Sequence, residues 1–162
     1  MTVRSYQPSD LDAVWELHNM ALKATGAHLG NGSWDRDLRD IPNVYLQNKG
    51  CFLIGQLDER IIAMGALKCT DLNRAEIKRM RVHPDFQRHG YGTKILNALE
   101  TEARRLGYDV LHLNTTTLQT AAQKMYENHG YHQVGTSLIG GFNTLLYEKK
   151  LPESNYGFNS KS

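Results

Sequence analysis

The stretch from His83 to Leu96, "HPDFQRHGYGTKIL", places a basic side chain and two glycines between a strand-like run and a helix-like run. A strand that ends at Val82 and a helix that begins near Thr93 would direct unpaired backbone N–H groups and a helix dipole at this turn. Glycine lets a phosphate approach the backbone, because it has no side chain to hold the phosphate away. The sequence therefore predicts an anion site that contains Gln87, Arg88, Gly90 and Gly92.

Two common phosphate-binding patterns do not fit this turn. A P-loop needs four residues between its first glycine and a Gly-Lys pair, whereas Gly92 is followed by Thr93. A dinucleotide fingerprint needs a glycine where Ile95 stands, and a parallel strand unit around it. The alternative for two glycines in a turn is an ordinary entry into a helix.

Basic residues are concentrated around the same turn. Residues 74–94 carry six lysines and arginines against two acidic residues, although the net charge of the whole chain is only +2. Such a patch suits an anionic ligand, of which nucleic acid is one kind, and a solvated basic face is the alternative. Since the patch coincides with the glycine turn, one phosphate-containing ligand explains both features without nucleic acid.

The apolar pattern predicts the elements that position this turn. A chain of 162 residues, 40% hydrophobic and 22% charged, is typical of one soluble domain, which we expect over residues 1–151 with a polar tail over 152–162. The pattern predicts an α/β (α+β) fold with a mixed, mostly antiparallel sheet of about seven strands and helices on its faces. The predicted strands are 2–7, 51–57, 60–70, 74–82, 109–116, 131–137 and 142–151, and the predicted helices are 8–26, 33–40, 92–108 and 118–130.

Cysteine, histidine and apolar spacing exclude several classes of protein. Cys51 and Cys69 are too few for a disulfide framework, and a hairpin turning at 58–59 would place Cys51 opposite Ala66. The seven histidines lack metal-ligand spacing, so we expect no metal. Acidic residues interrupt the first thirty positions, so we expect neither a signal peptide nor a membrane span, and a cytoplasmic location.

Two motifs resemble those of the GNAT superfamily of N-acetyltransferases. In "EIKRMRVHPDFQRHGYGTKIL", Gln87, Gly90 and Gly92 match the acetyl-CoA-binding motif of that family. In "AAQKMYENHGYHQV", Ala122 and Tyr126 match its second motif, together with the Gly-aromatic pair at 130–131. Where the family often has a cofactor-contacting Asn, this chain has Gln119, and its N-terminal third matches no motif.

The resemblance implies acetyl transfer from acetyl-CoA to a primary amine by direct attack in a ternary complex. Such a reaction needs a base for the amine, donors for the thioester oxygen and an acid for the departing thiolate. The resemblance assigns the base to Glu76 and the acid to Tyr126. The alternatives are a carboxylate that balances Lys78 or Arg79, and a tyrosine that only packs on its helix.

The resemblance also implies the cofactor contacts. Backbone amides of Met80 and Val82, on a strand that bulges and splays, would bind the pantetheine arm. Asn114 would contact that arm from the opposite strand. The side chains or amides expected around the diphosphate are Arg81, Arg88, His89, Tyr91 and Thr93.

The acceptor is a small-molecule or peptide amine that the sequence does not identify. His28, Trp34, Asp35 and Asp37 fall where the acceptor pocket is expected, although Trp34 as a core anchor and the aspartates as helix-start charges is the more ordinary interpretation. We expect no nucleic-acid or membrane partner, and the resemblance is compatible with a homodimer. The alternative function is a non-catalytic acyl-CoA sensor, against which the presence of both Glu76 and Tyr126 argues.

Overall fold

Seven strands form one sheet in the order β1-β2-β3-β4-β5-β7-β6, flanked by three α-helices. The computed structural model describes residues 1–28 and 30–153. The strands are β1 Thr2–Ser5, β2 Cys51–Leu57, β3 Arg60–Asp71, β4 Arg74–Val82, β5 Val110–Thr116, β6 His132–Ile139 and β7 Phe142–Lys150. The helices are α1 Leu11–Thr25, α2 Tyr91–Arg105 and α3 Thr120–Asn128. The predicted fold class is confirmed, since β4 and β5 are parallel and the other neighbours are antiparallel.

The segment between α1 and β2 is built from short irregular helices. The predicted helix over 33–40 is a 3-10 helix, Ser33–Arg39, and the connection over 41–50 contains one π-helical turn, Pro42–Leu46. Tight 3-10 turns are common in short connectors, where few residues repeat the apolar spacing of an α-helix. This segment packs Leu38, Ile41 and Tyr45 fully into the core.

The hairpin of β2 and β3 turns at 58–59 as predicted, but the expected register was wrong by one residue. Cys51 lies opposite Leu67 rather than Ala66. The pairing moves from Gln56–Ile61 to Gly55–Ala63, so one extra residue of β3 forms a bulge. Alternating apolar residues do not reveal such an insertion when both faces of the strand are apolar.

The sheet is buried on both faces. On one face, α2 and α3 cover a cluster centred on Leu99, Leu111 and Tyr147. On the other face, α1 and the irregular segment cover a cluster that contains Val14 and Phe52. Because both faces of the central strands are covered, those strands contain nearly continuous apolar runs.

Three further features of the described residues concern membrane helices, cysteines and the C-terminal tail. No helix among residues 1–28 and 30–153 has the length and apolarity needed to cross a bilayer. Both cysteines are free thiols. Of the predicted polar tail over 152–162, only Pro152 and Glu153 are described, and the remainder lies outside the described residues.

Candidate active site

The site forms where two neighbouring central strands part. β4 and β5 pair only between Arg74–Glu76 and Val110–His112. Beyond this point β4 continues to Val82 and β5 continues to Thr116 without further pairing between them. The splay implied by the sequence resemblance is therefore present, and it opens a cleft of about 430 Å³.

Six of the predicted site residues line this cleft together, and eight do not. The six come from β4, from β5, and from α3 with its N-cap residue: Glu76, Met80, Arg81, Asn114, Gln119 and Tyr126. The other eight form the end of β4, the following loop and the first turn of α2: Val82, Gln87, Arg88, His89, Gly90, Tyr91, Gly92 and Thr93. The predicted residues thus divide into a cleft group and a loop group.

The loop group presents backbone donors at the start of α2. Gly90 is the N-cap of the helix with φ 78°, and no described side chain caps it. The first N–H groups of an α-helix have no partner within the helix, so this turn can bind an anion. At Gly92 an added Cβ would lie 3.2 Å from the Met125 Sδ and 3.5 Å from a Val82 methyl group, so glycine allows α2 to begin close to α3. These features fit an anionic group such as a diphosphate.

Two backbone amides of β4 point away from β3. The His83 N–H donates to the Ile62 carbonyl oxygen of β3 at 2.7 Å. Successive N–H groups of a strand point to opposite sides, so those of Val82 and Met80 point away from β3 and toward the gap. Both residues were predicted to act through these amides.

A bulge in β4 decides which side chains reach the cleft. The pairing with β3 moves from Ala66–Lys78 to Met64–Arg81, and Arg79 adopts φ 59°. Ala75 and Ile77 before the bulge pack in the cluster beneath α2, as do Met80 and Val82 after it. The extra residue therefore turns two successive odd positions, Arg79 and Arg81, toward the α1 face, where regular alternation would have buried them beneath α2.

Arg79 is held by carboxylates from the irregular segment. It donates to Asp37 through Nε at 2.9 Å and through Nη2, and its Nη1 lies 3.4 Å from an Asp35 oxygen. The Tyr45 hydroxyl donates to the same Asp37 carboxylate. Burial opposes the charge of Asp37, but the hydrogen bonds and charge of Arg79 outweigh it and lower the pKa of this carboxyl. The pairing stabilises the left-handed backbone at Arg79.

His18 connects this network to Arg81. Its Nδ1 accepts from the Arg81 Nε at 3.3 Å, so its Nε2 carries the proton and donates to Asp35 Oδ1 at 2.9 Å. His18 is 1% exposed, and burial, aided by the charges of Arg81 and Arg79, lowers its pKa to about 4. The imidazole is therefore neutral at pH 7 and fixed in one tautomer.

The Arg81 side chain is placed on the α1 side of the cleft rather than at the glycine loop. Besides His18, its Nη1 donates to the Met80 carbonyl oxygen at 2.8 Å. Burial, with a smaller effect from Arg79, lowers the pKa of Arg81 to about 10, so the guanidinium is still charged at pH 7. Arg81 was predicted to lie among the diphosphate contacts, but the structure does not bring its side chain together with them.

Tyr126 and Glu76 lie on opposite walls of the cleft. Tyr126 is 4% exposed, and burial raises the pKa of its hydroxyl, with the Arg81 charge opposing this effect. Because every buried side-chain N or O atom among the described residues has a partner, and none is found for this hydroxyl, the hydroxyl opens to the cleft. Glu76 forms no ion pair within 4 Å with a described residue, and Arg79 is paired with Asp35 and Asp37 instead. The charge of Glu76 does act on Lys78, where it opposes the lowering of the ammonium pKa by burial, so the alternative that Glu76 balances Lys78 stays open.

The predicted cofactor contact Gln119 already forms hydrogen bonds within the fold. The Gln119 side-chain oxygen accepts from Thr115 and Thr116 at the end of β5, at 3.3 to 3.4 Å. Its amide nitrogen donates to no described residue, and Gln119 lines the cleft. The described residues contain no group of three His, Cys, Asp or Glu side chains suited to a metal ion.

The roof of the cleft differs from the more ordinary interpretation of the sequence. Trp34 is 55% exposed and lines the cleft, so it is not a core anchor. Its indole N–H donates to the Gly30 carbonyl oxygen, and His28 also lines the cleft. Asp35 does lie in the first turn of the 3-10 helix, but both Asp35 and Asp37 are partners of Arg79.

Sequence reasoning missed two residues that organise the site. His18 lies one turn beyond Val14 on the buried face of α1, so its position was a signal for a buried polar partner. Arg79 gave no signal, because regular alternation would place it on the α2 face.

The chain is similar to acetyltransferases of known sequence. A model of the acetyltransferase (GNAT) family matches residues 11–131. N-acetyltransferase 8 from Homo sapiens is 27% identical over 133 residues, which are 75% of this chain and 59% of that protein. N-acetylaspartate synthetase from Rattus norvegicus is 29% identical over 118 residues, 70% of this chain and 40% of that protein. The chain spans about half the length of the curated relatives that it matches.

Solved structures share the fold at low sequence identity. A GNAT-family acetyltransferase from Staphylococcus aureus Mu50 has a TM-score of 0.85 and 20% identity, covering 93% of this chain and 99% of that one. A putative acetyltransferase from Salmonella typhimurium, solved with acetyl-CoA, has a TM-score of 0.77 and 20% identity, covering 94% and 95%. These likenesses extend the similarity from residues 11–131 to nearly the whole chain.

Proposed function

The chain belongs to the acetyltransferase (GNAT) family, and from that premise we propose that it is an acetyl-CoA-dependent N-acetyltransferase. It transfers the acetyl group to a primary amine of a small molecule or peptide by direct attack in a ternary complex. One observation carries the proposal: the splay of β4 from β5 brings Glu76, Met80 and Tyr126 to one opening.

Each part of the opening has a separate task in this proposal. The cofactor supplies an acetyl group activated as a thioester. The free N–H groups at the start of α2 hold its diphosphate, and Arg88 adds a positive charge there. The amides of Met80 and Val82 bind the pantetheine arm and donate to the thioester oxygen. The side chains that line the cleft then act on the two protons of the reaction.

Proton transfer completes the exchange of bonds. An alkylamine is almost entirely protonated at neutral pH, so its nitrogen must lose a proton before it can attack. The Glu76 carboxylate accepts that proton, directly or through water, and later releases it to solvent. The neutral amine then attacks, so that a C–N bond forms and the C–S bond breaks. Tyr126, whose raised pKa keeps its hydroxyl protonated, donates its proton to the departing sulfur. The nitrogen gives its second proton to the Tyr126 oxygen once that oxygen has protonated the sulfur.

The relatives support this reaction class. One is named an N-acetyltransferase and another an N-acetylaspartate synthetase, and the Salmonella structure contains acetyl-CoA. A cytoplasmic location and a homodimer belong to the same proposal, as does the absence of a nucleic-acid partner.

Calorimetry and a screen of acceptors test the proposal. We expect purified protein to bind coenzyme A, and free thiol to be released from acetyl-CoA with at least one acceptor among amino acids, polyamines, arylalkylamines and peptide N-termini. Hydrolysis without acceptor is the control. No binding of coenzyme A at millimolar concentration would contradict the proposal, and binding without release above hydrolysis would favour a sensor instead.

A further inference from the structure

The cleft contains two cations that lack a carboxylate partner. Arg79 is paired with Asp35 and Asp37. Lys78 and Arg81 also line the cleft, but neither has a carboxylate oxygen within 4 Å among the described residues. Burial is the largest effect on both side chains and lowers the pKa of each, while the charges of more distant carboxylates oppose it: Glu76 and Asp37 at Lys78, and Asp35 and Asp37 at Arg81.

Lys78 and Arg81 form a positive wall of the cleft. The guanidinium of Arg81 has no anionic group among its described hydrogen-bond partners. The side-chain partners of its guanidinium are a neutral imidazole, His18, and a backbone carbonyl oxygen, that of Met80. A desolvated cation with only neutral partners is costly, and an anion that enters the cleft would offset that cost. His18 fixes the direction of the guanidinium, because its other ring nitrogen is held by Asp35.

The spacing on β4 relates this positive wall to the proposed base. Glu76 and Lys78 lie two residues apart on the same face of the strand, which separates their Cα atoms by about 6 to 7 Å. The bulge then brings Arg81 to that face as well. An amine nitrogen near Glu76 would therefore have a positive wall beside it, on the α1 face of β4.

We infer that the acceptor is a free amino acid, whose carboxylate is bound by Arg81 and Lys78 while its amine faces Glu76. Arg81 is suited to this task because its planar guanidinium can donate two parallel hydrogen bonds to a carboxylate. A peptide N-terminus would leave Arg81 and Lys78 without an anionic partner, because an amide replaces the carboxylate next to its amine. The inference rests on the proposed acetyl transfer and specifies its substrate class.

Matched acids and amides test the inference on the unaltered protein. Each of the twenty amino acids is compared with its own C-terminal amide at saturating acetyl-CoA, and kcat/KM is measured by thiol release. The amine of an amide is less basic and more often neutral at pH 7, so intrinsic reactivity favours the amide. We expect the best amino acid to exceed its amide by about 10 to 100 times, the usual range for a hydrogen bond between charged groups.

Arg81→Met tests whether Arg81 binds the acceptor carboxylate. Arg105→Met, on the exposed end of α2, is the matched control. We expect Arg81→Met to bring the ratio of acid to amide close to one and to leave coenzyme A affinity unchanged. Arg105→Met should keep the wild-type ratio. An unchanged ratio in Arg81→Met combined with weakened coenzyme A binding would overturn the assignment of Arg81 to the acceptor.

The remaining outcomes separate this inference from the proposed function. Equal or faster acetylation of amides would overturn the inference and leave acetyl transfer intact. Thiol release with none of the acceptors, despite coenzyme A binding, would overturn the proposed function and the inference with it. If Arg81→Met does not fold, thermal protection of the wild-type protein by N-acetyl amino acids and their amides, with coenzyme A present, decides instead. Protection by the acids alone would support the inference, and equal protection would contradict it.

Discussion

Tyr126 and Tyr131 are neighbouring buried tyrosines whose hydroxyl groups have different surroundings. Their ring centroids are 5.7 Å apart. The Tyr131 hydroxyl donates to the buried Glu100 carboxylate at 3.1 Å, whereas the Tyr126 hydroxyl opens to the cleft. Removing each hydroxyl should therefore affect a different property of the protein.

We predict that Tyr126→Phe lowers kcat by about 100 to 1,000 times, within the range for loss of a general acid, with little change in stability or coenzyme A affinity. Tyr131→Phe should lower the free energy of unfolding by about 2 kcal/mol, because it removes a hydrogen bond to a buried charge, and keep kcat. Steady-state kinetics, calorimetry and urea unfolding measure these effects. Full turnover by Tyr126→Phe would exclude it as the proton donor.

His18 makes stability dependent on pH. Its pKa is lowered to about 4 in the folded protein, while the unfolded chain has the ordinary value of 6.5. Between these values the unfolded chain binds more protons, so the free energy of unfolding falls as the pH is lowered from about 6.5 to about 4. The carboxyls of Asp10 and Asp37, whose pKa values are lowered from 3.8, lose their contribution only at lower pH.

We predict a loss of about 2 to 3 kcal/mol from His18 across this interval, measured by urea unfolding at fixed pH steps. His18→Gln removes this titrating group and should reduce the slope between pH 6.5 and 4, leaving the part that comes from His112, whose pKa is also lowered by burial. His132→Gln, an exposed change on β6, serves as the control and should leave the slope as it is. An equal slope in His18→Gln would show that other groups cause the dependence.

At the scale of elements, the two ends of α2 share a backbone conformation but differ in surroundings. Gly90 precedes the helix at φ 78°, and Gly107 follows it at φ 87°. An added Cβ would meet no atom within 4 Å at either position, so an alanine would be strained only by its backbone. The pair separates the cost of a left-handed residue from the loss of a ligand contact.

We predict that Gly90→Ala and Gly107→Ala each lower the free energy of unfolding by about 1 kcal/mol. Only Gly90→Ala should also weaken coenzyme A binding, because it disturbs the donors at the start of the helix. Urea unfolding and calorimetry provide the two measurements. Equal coenzyme A affinity in both variants would place the diphosphate elsewhere.

The bulge in β4 explains how far the sequence could predict the site. Apolar alternation and glycine positions were sufficient for the succession of strands and helices along the chain and for the approximate start of α2, because these depend on local patterns. The splay was expected only from the family resemblance. The direction of Arg79 and Arg81 depends on one extra residue in the pairing with β3, which alternation does not encode. The partnership of His18 with Asp35 joins residues 17 positions apart, through packing that the sequence pattern does not specify. For Trp34 the more ordinary interpretation was a core anchor, but the fold leaves it on the cleft, where the acceptor pocket was expected.

At the scale of the whole molecule, one sheet separates two apolar clusters. Leu99 is fully buried beneath α2, whereas the two tryptophans, Trp15 and Trp34, lie on the α1 side. Trp fluorescence therefore reports on one face of the sheet, and far-UV circular dichroism reports on all elements.

We predict that Leu99→Ala lowers the free energy of unfolding by about 2 to 5 kcal/mol and shifts both signals to the same midpoint. Leu38→Ala, on the opposite face, should do likewise. A fluorescence midpoint that stays in place in Leu99→Ala would show that the two faces unfold separately.

The short pairing of β4 with β5 also has a mechanical consequence. Only three residue pairs join the four strands β1 to β4 to the three strands β5, β7 and β6, and beyond them the gap is bridged by no backbone hydrogen bonds between these strands. A molecule bound in the gap would contact both halves of the sheet and hold them together. The free energy of unfolding should therefore rise with cofactor concentration, by about 2.7 kcal/mol when the cofactor reaches 100 times its dissociation constant. The same opening that admits the reactants would thus make the folded state partly dependent on them.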